Sequence, residues 1–440
     1  MAEAGPAFSA QASIAHASAA SLFVPLPTEA LYPYWSMANP LTVMEAMLFD
    51  ARAHEPLHDA AWNPADVEAA IRAIARDAED ALGAADWWPW HLLDAEDGDP
   101  DVVHGVYLGA AGVLWALDRL ARAGLHEPRH DYARLAEDVL DSYLSRPEFG
   151  GPLPSVWMGE GGIALVAWLL APTRALADRL AKLVAGDLER DSLELMWGSP
   201  GLLLIADAML ERTGEERWAS AWSAIADRLM RQWGAEVPGF WTQRLYGTTD
   251  EIIGPAHGLA GVVAALARRP ELLPPARLVP GVTAALSATA ARHGGHANWP
   301  PSRGEPLAKP DGLIRTQWCH GAPGIVASTA VLPADDELDS LLIAGGELTW
   351  AAGPVRKGAG LCHGTAGNGF ALLKLFTRSA DESWLDRARR FAMHAAAQVE
   401  AARRHYGRGR YTLWTGDLGT ALYLQQCLVA TSDMPTIDTW

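Results

Sequence analysis

The feature that most constrains the fold of this chain is a short sequence that recurs seven times, Gly-x-x-Gly followed at once by an apolar run. Successive copies begin 39 to 63 residues apart, which leaves room between them for one helix out and one helix back. Glycines three apart lie on one face of a helix and let neighbouring helices approach closely. The first glycines of the seven copies are Gly109, Gly159, Gly198, Gly258, Gly321, Gly364 and Gly416.

The segments between the copies are amphipathic with the period of a helix, as in 216–233, and 64–82 has the same pattern. The runs after the glycines are apolar nearly all round, which is typical of buried helices, and no alternating pattern indicates a strand. We therefore expect an all-α fold, an α/α toroid of seven helical hairpins whose inner helices begin at the Gly-x-x-Gly copies. The repeats cover about 100–425 of a single domain, 26–440, which follows a flexible tail, 1–25.

The charge balance and the cysteine count exclude several classes of function. Thirty-five basic and 53 acidic residues give a net charge of −18, which repels the phosphates of nucleic acids and of anionic membranes. The longest apolar run, 163–171, is far shorter than the ~18 residues of a membrane span, and no signal peptide is recognisable. Three cysteines make no disulfide framework, and Cys427 is interpreted as a small buried hydrophobe. We expect a cytoplasmic protein with no nucleic-acid partner.

Cysteine and histidine precede the first glycine in consecutive copies of the repeat. His257, His320 and His363 stand directly before it in copies four, five and six, and Cys319 and Cys362 come one residue earlier in copies five and six. In a closed ring these positions meet at one place at the mouth. Two thiolates and one imidazole are a ligand set for zinc that leaves a fourth position open for water or substrate. We therefore predict one zinc ion per chain, without choosing among the three imidazoles.

Three longer strings resemble a known family. AHGLAG (256–261), WCHGAPGI (318–325) and LCHGTAGNG (361–369) are similar to sequences of the LanC-like family, which comprises lanthionine synthetase cyclases and glutathione-associated eukaryotic relatives. The resemblance implies an α/α toroid of seven hairpins with a zinc site of two cysteines and one histidine. The ligands that it implies are Cys319, Cys362 and His363.

The resemblance also implies an activity. In the cyclases a cysteine thiol adds to the β-carbon of dehydroalanine or dehydrobutyrine in a dehydrated peptide or protein, forming a thioether, and a dehydratase is the expected partner. The family places the acid/base at His257, a second imidazole at His320 where cyclases often carry tyrosine, and a cation that stabilises the enolate at Arg315. One position departs from the family. Ser155, four residues before the second copy's first glycine, stands where cyclases carry aspartate.

Basic residues near the sixth and seventh copies point to a thiol that carries carboxylates. Lys357 matches a lysine that the glutathione-binding relatives use on the tripeptide, so glutathione is the alternative to a peptide cysteine. The stretch 403–410 is a basic cluster in an acidic protein. It is either a solvated loop or a rim on which Arg408 and Arg410 bind substrate carboxylates.

Two other functions remain open from the sequence. One is a non-catalytic zinc- and glutathione-binding protein that acts through partners. The other is a carbohydrate-active enzyme, because α/α toroids also carry sugar chemistry, and this would need paired carboxylates at the mouth. Acidic residues are available near the copies, but no pairing follows the repeat. They are Glu160, Asp250, Glu251 and Asp417.

Overall fold

The computed structural model of the protein describes residues 48–83, 87–95, 102–186 and 191–440. The tail expected at 1–25 lies outside the described residues.

Within the described ranges fourteen α-helices form two concentric layers, in which odd-numbered helices are outer and even-numbered helices are inner. Each inner helix begins one residue after the first glycine of a copy. In chain order the helices are α1 (Pro64–Asp80), α2 (Ala110–Arg122), α3 (Tyr132–Ser145), α4 (Glu160–Leu170), α5 (Arg174–Gly186), α6 (Ser199–Thr213), α7 (Glu216–Gln232), α8 (Leu259–Leu266), α9 (Val279–Thr289), α10 (Ala322–Thr329), α11 (Asp336–Ala352), α12 (Thr365–Ser379), α13 (Glu382–Tyr406) and α14 (Asp417–Val429).

The inner helices form a closed ring. Each one contacts the next around the circle, and α14 returns to contact α2. The helix expected over 64–82 is present as α1, and it packs on α14 as the outer helix that completes the circle. The predicted all-α toroid of helical hairpins is therefore confirmed. In the described part of the chain, no helix combines the length and the apolar character that a membrane crossing requires.

The second glycine of each copy has two neighbours that a side chain would overlap. A Cβ on Gly324 would overlap the carbonyl oxygen of Trp318, six residues earlier, and would lie 2.7 Å from Pro255 in the neighbouring loop. Gly367 stands in the same relation to the carbonyl of Leu361 and would lie 3.0 Å from the Trp318 Cβ. These glycines therefore allow close packing between neighbouring repeats, as expected, and also allow each loop to fold back onto its own helix.

Two short antiparallel hairpins interrupt the helical pattern. The strands β1 (Gln243–Leu245) and β2 (Thr248–Asp250) lie between α7 and α8, and the strands β3 (Ala291–His293) and β4 (His296–Asn298) lie between α9 and α10. Each strand has three residues, which is too short for a recognisable alternation of polar and apolar side chains.

Aromatic side chains from loops around the ring meet near its axis. Trp157, Trp318, Trp414 and Tyr107 contact one another with ring centroids 4.5 to 6.3 Å apart, and all four are buried. The indole N–H groups of Trp157 and Trp414 donate to the Thr436 hydroxyl at 3.1 and 3.3 Å. These buried contacts thus join the loops of the first, second, fifth and seventh copies to one another and to Thr436 near the C-terminus.

Candidate metal centre

The loops before α10 and α12 bring two thiols and one imidazole together. One ligand atom each of Cys319, Cys362 and His363 lies within 4.8 Å of the others, and all three residues are buried. Backbone hydrogen bonds tie the loops to each other, since the Cys319 N–H donates to the Cys362 carbonyl at 3.0 Å and the Cys362 N–H donates to the Trp414 carbonyl at 2.8 Å. The cluster can hold a metal ion, and three donors leave one position of a four-coordinate ion for an exogenous ligand.

The electrostatics of the pair favour one thiolate. A hydrogen bond from the Cys362 thiol, together with the charges of Arg315 and Lys357, lowers the pKa of Cys319 to about 6. Burial and the neighbouring Cys319 raise the pKa of Cys362. One thiolate of the pair is therefore favoured, and a second negative charge beside it is disfavoured. A cation placed between the two sulfurs would be the natural compensation for the second negative charge.

The imidazole of His363 has the protonation state that a metal ligand needs. Burial, followed by the charges of Lys357 and Arg410, lowers its pKa well below the ordinary value, so the ring is neutral at pH 7. The described residues give the His363 ring no hydrogen-bond partner. His320, at the same place in the preceding repeat, does not join the cluster within the described part of the chain.

His257 is held by a carboxylate that sequence reasoning missed. His257 Nδ1 lies 2.8 Å from Glu194 Oε2, and the Glu194 side chain is completely buried. The same carboxylate accepts the backbone N–H groups of Met196 and Trp197 at 2.9 and 2.6 Å. Because the Glu194 carboxylate accepts these hydrogen bonds, we assign the ring hydrogen to Nδ1 of His257. This tautomer leaves Nε2 to exchange a proton. The ring of Tyr246 packs edge-on against this imidazole, with centroids 5.7 Å apart.

The His257 loop packs directly against the Cys319 loop. A Cβ on Gly254 would overlap the carbonyl oxygen of Cys319, so the two backbones touch. The acid/base candidate therefore comes from the repeat adjacent to the thiols, as the order of the repeats predicts.

Ser155, at the position where cyclases carry aspartate, makes structural hydrogen bonds within its loop and to the next loop. Its hydroxyl donates to the Met196 carbonyl and accepts the N–H groups of Trp157 and Met158 at 3.2 and 2.8 Å. It caps its own loop and ties it to the next one. Ser155 and Glu194 both stand four residues before the first glycine of their copies, so the position that carries the carboxylate here is one repeat further along.

The same position in copy five holds Gln317, the second residue that sequence reasoning missed. Its side-chain amide lies 3.0 Å from the Cys319 sulfur and donates to it. A polar residue four before the first glycine is the signal that could have found both Glu194 and Gln317.

The predicted basic residues differ in how strongly they act on the thiols. Arg315 and Lys357 are close enough to lower the pKa of Cys319. Partial desolvation lowers the pKa of Lys357, and the two cysteines oppose that shift. Arg410, in contrast, is engaged by a buried carboxylate, since its Nε donates to Asp94 at 2.8 Å. Arg410 still lies close enough to affect the pKa of His363.

Arg408 and the remaining candidates lie further out. Arg408 is half-buried beside His91, whose pKa falls to about 4 because of burial and the charge of Arg410. Cys427 is fully buried within α14, and burial raises the pKa of its thiol. Among the carboxylates considered for sugar chemistry, Glu160 is paired with Arg179 at 2.6 Å.

Comparison with known proteins identifies the class to which this fold and site belong. A profile of the family described as lanthionine synthetase C-like protein matches residues 100–438, and the chain belongs to that family. Nisin cyclase is a similar solved structure, with a TM-score of 0.57 and 16% sequence identity over 84% of this chain and 98% of that chain. At this identity the likeness demonstrates the shared fold.

Two curated proteins match part of the sequence. LanC-like protein GCL1 of Arabidopsis thaliana is 33% identical over 155 residues, which are 34% of this chain and 34% of that protein. Glutathione S-transferase LANCL1 of Danio rerio is 31% identical over 147 residues, which are 32% of this chain and 35% of that protein. The chain thus spans, in these matches, about a third of the length of each curated relative.

Proposed function

We propose that the protein is a zinc-dependent enzyme that adds a thiol to the β-carbon of a dehydroalanine or dehydrobutyrine residue. The proposal is supported by the buried cluster of Cys319, Cys362 and His363, together with a histidine on the adjoining loop that a buried glutamate orients. A cluster of metal-binding thiols needs no oriented acid/base if its only task is to bind. The combination favours catalysis over a purely structural or binding role.

The donor set fits zinc better than a hard cation. Two sulfurs and a neutral imidazole are soft or borderline donors, whereas magnesium and calcium take oxygen ligands. Zinc held by Cys319, Cys362 and His363 would supply a Lewis acid that keeps a substrate thiol deprotonated at neutral pH. We expect one ion per chain.

The residues around the thiols supply the remaining chemistry. The sulfur lone pair of the substrate forms the new C–S bond, and the π electrons of the dehydro residue move toward its carbonyl oxygen as an enolate. We propose that Nε2 of His257 takes up the proton that the substrate thiol releases and then gives it to the α-carbon, while Glu194 accepts the Nδ1–H and so keeps Nε2 available for this exchange. We assign the stabilisation of the enolate oxygen to Arg315, whose charge acts on Cys319, and a second polar role at the mouth to His320.

The thiol is either a peptide cysteine or glutathione. The relatives include a cyclase and a protein named as a glutathione transferase, so the names alone support both. Lys357 beside the thiols favours a substrate with a carboxylate, and Arg408 is the further cation at this rim. The other substrate must come from a reaction that removes water from serine or threonine, so we expect a dehydratase partner and a dehydrated peptide or protein.

The test is turnover of a synthetic dehydroalanine peptide with glutathione and, separately, with a cysteine placed in the same peptide. Mass spectrometry counts thioether formation against the uncatalysed rate. His257→Ala should keep its zinc and lower the rate by about 10²–10⁴-fold, the range of general acid–base catalysis.

Three outcomes would contradict the assignment in different ways. A zinc protein that binds glutathione but never exceeds the uncatalysed rate would be the non-catalytic binder. Loss of zinc from the His257→Ala variant would make His257 a ligand. Absence of zinc together with hydrolysis of a glycoside would favour the carbohydrate-active alternative.

A further inference from the structure

We infer that Gln317 shields the Cys319 sulfur from the electrophilic substrate, so that the exogenous thiol and not the protein's own ligand is alkylated. This role rests on the proposed thiol addition. It assigns to Gln317 a positioning and selectivity task rather than a bond-making one.

The backbone of copy five aims the Gln317 side chain at the sulfur. The Gln317 N–H donates to the His320 carbonyl at 3.1 Å and the His320 N–H returns to the Gln317 carbonyl at 3.2 Å, which closes a two-residue turn over Trp318 and Cys319. The chain reverses within this turn, and the side-chain amide donates to Cys319 Sγ at 3.0 Å.

Buried amides clamp the chain just before this turn. Asn298 Nδ2 donates to the Arg315 carbonyl at 3.2 Å, and Asn368 Nδ2 donates to the Thr316 carbonyl at 2.9 Å. Asn298 and Asn368 are both completely buried. Gln317 therefore follows a fixed stretch of backbone, and its amide is held toward the sulfur.

The proposed reaction needs a way to keep the ligand sulfurs from attacking, because it brings several sulfurs to one electrophile. Two ligand thiolates and the substrate thiolate would stand near the same β-carbon. If Cys319 attacked, its lone pair would form a C–S bond, the π electrons would move to the α-carbon, and a proton would complete a dead-end protein thioether. A thiolate that accepts a strong N–H hydrogen bond is less basic and a weaker nucleophile than one that does not.

Cys362 lacks the equivalent amide. The residue four before its glycine is Gly360, whose position is filled on one side by the Thr415 backbone, so no side chain fits there. The Gln317 amide contacts the Cys319 sulfur, and no side chain can take the equivalent place beside Cys362. Removing Gln317 should therefore affect only Cys319.

The experiment measures alkylation of the zinc-loaded protein by N-ethylmaleimide, with each cysteine followed by peptide mass spectrometry. Gln317→Met keeps the length of the side chain and removes the donor, and we expect it to raise the rate at Cys319 about tenfold with the rate at Cys362 unchanged. Gln317→Glu, which also removes the donor, should act in the same direction. Gln425→Met, a half-buried glutamine on α14, is the matched control and should leave both rates unchanged.

An unchanged Cys319 rate in both Gln317 variants overturns the inference, and so does an equal rise at both cysteines, which would indicate a loosened site. Zinc content and helicity are measured on every sample first. A wild-type protein that holds no zinc contradicts the proposed function, whereas a zinc-loaded protein with unchanged Cys319 reactivity contradicts only the role of Gln317. The readout needs no turnover of a dehydrated peptide.

Discussion

The loops of copies five and six share the sequence Cys-His-Gly yet have different backbones. In copy six the first glycine, Gly364, has an extended φ of −127°, as in the other copies of the described ring. In copy five Gly321 has a φ of +110°, which favours glycine over other residues. Both loops deliver a sulfur to the cluster, but of the two histidines only His363 joins it among the described residues.

The difference teaches that a repeated sequence does not give a repeated site. The turn over 317–320 ends at Gly321 and carries His320 out of the cluster, while it places the Gln317 amide on the Cys319 sulfur. One loop thus supplies a sulfur with its hydrogen-bond donor, and the other supplies a sulfur with an imidazole. A symmetric pair of loops would have produced a site with four donors and no open position.

The largest expected effect comes from removing one of the two sulfurs, of which each loop supplies one. Cys362→Ala should lose most of the zinc, because one thiolate and one imidazole bind the ion far more weakly than the complete set. Cys427→Ala, which removes a buried thiol remote from the mouth, is the control and should retain one equivalent. Metal analysis after gel filtration measures both, and equal retention would refute the ligand assignment.

The histidines of the two loops provide the most direct test of their asymmetry. His363→Ala should weaken zinc binding by about 100-fold or more, whereas His320→Ala should change it by less than about threefold. Competition with a chromophoric chelator gives both affinities. If His320→Ala has the larger effect, the two loops exchange roles and the turn in copy five does not decide the ligand.

The backbone difference can be tested through stability. Gly321→Ala should lower the free energy of unfolding by about 2 to 3 kcal/mol, because a Cβ at this positive φ is strained and would overlap the Arg315 carbonyl. Gly186→Ala, at the end of α5 with nothing within 4 Å of the added Cβ, should change it by less than about 1 kcal/mol. Urea unfolding followed by circular dichroism measures the pair. Equal effects would mean that the copy-five turn adapts freely.

The smallest expected effect concerns the cation that precedes copy six. Lys357→Ala should weaken glutathione binding about fivefold, the size of one solvent-accessible charge pair, and leave the affinity for mercaptoethanol unchanged. Calorimetry with both thiols separates loss of a carboxylate contact from damage to the metal centre. A parallel loss for mercaptoethanol would assign Lys357 to the thiols instead of the substrate carboxylate.

Much of the architecture follows from sequence periodicity alone. Gly-x-x-Gly before apolar runs indicated the inner helices, and the amphipathic stretches between them indicated the outer ones, because helix formation and burial depend on residues close in the chain. The two short hairpins could not be predicted in this way, because strands of three residues do not establish a period. The convergence of Cys319 and Cys362 could also be predicted, because equivalent positions of neighbouring repeats meet when the ring closes.

The choice among chemically identical candidates was decided by the tertiary structure. Sequence alone ranks His320 and His363 equally, and it places no partner beside His257, because Glu194 is 63 residues away along the chain. The positive φ of Gly321 distinguishes the loop of His320 from that of His363, and the contact between neighbouring loops brings Glu194 to His257. No local sequence pattern encodes either feature. Residue types thus indicated which chemistry the chain can carry, and the packing of seven loops around one axis assigned each side chain its partner.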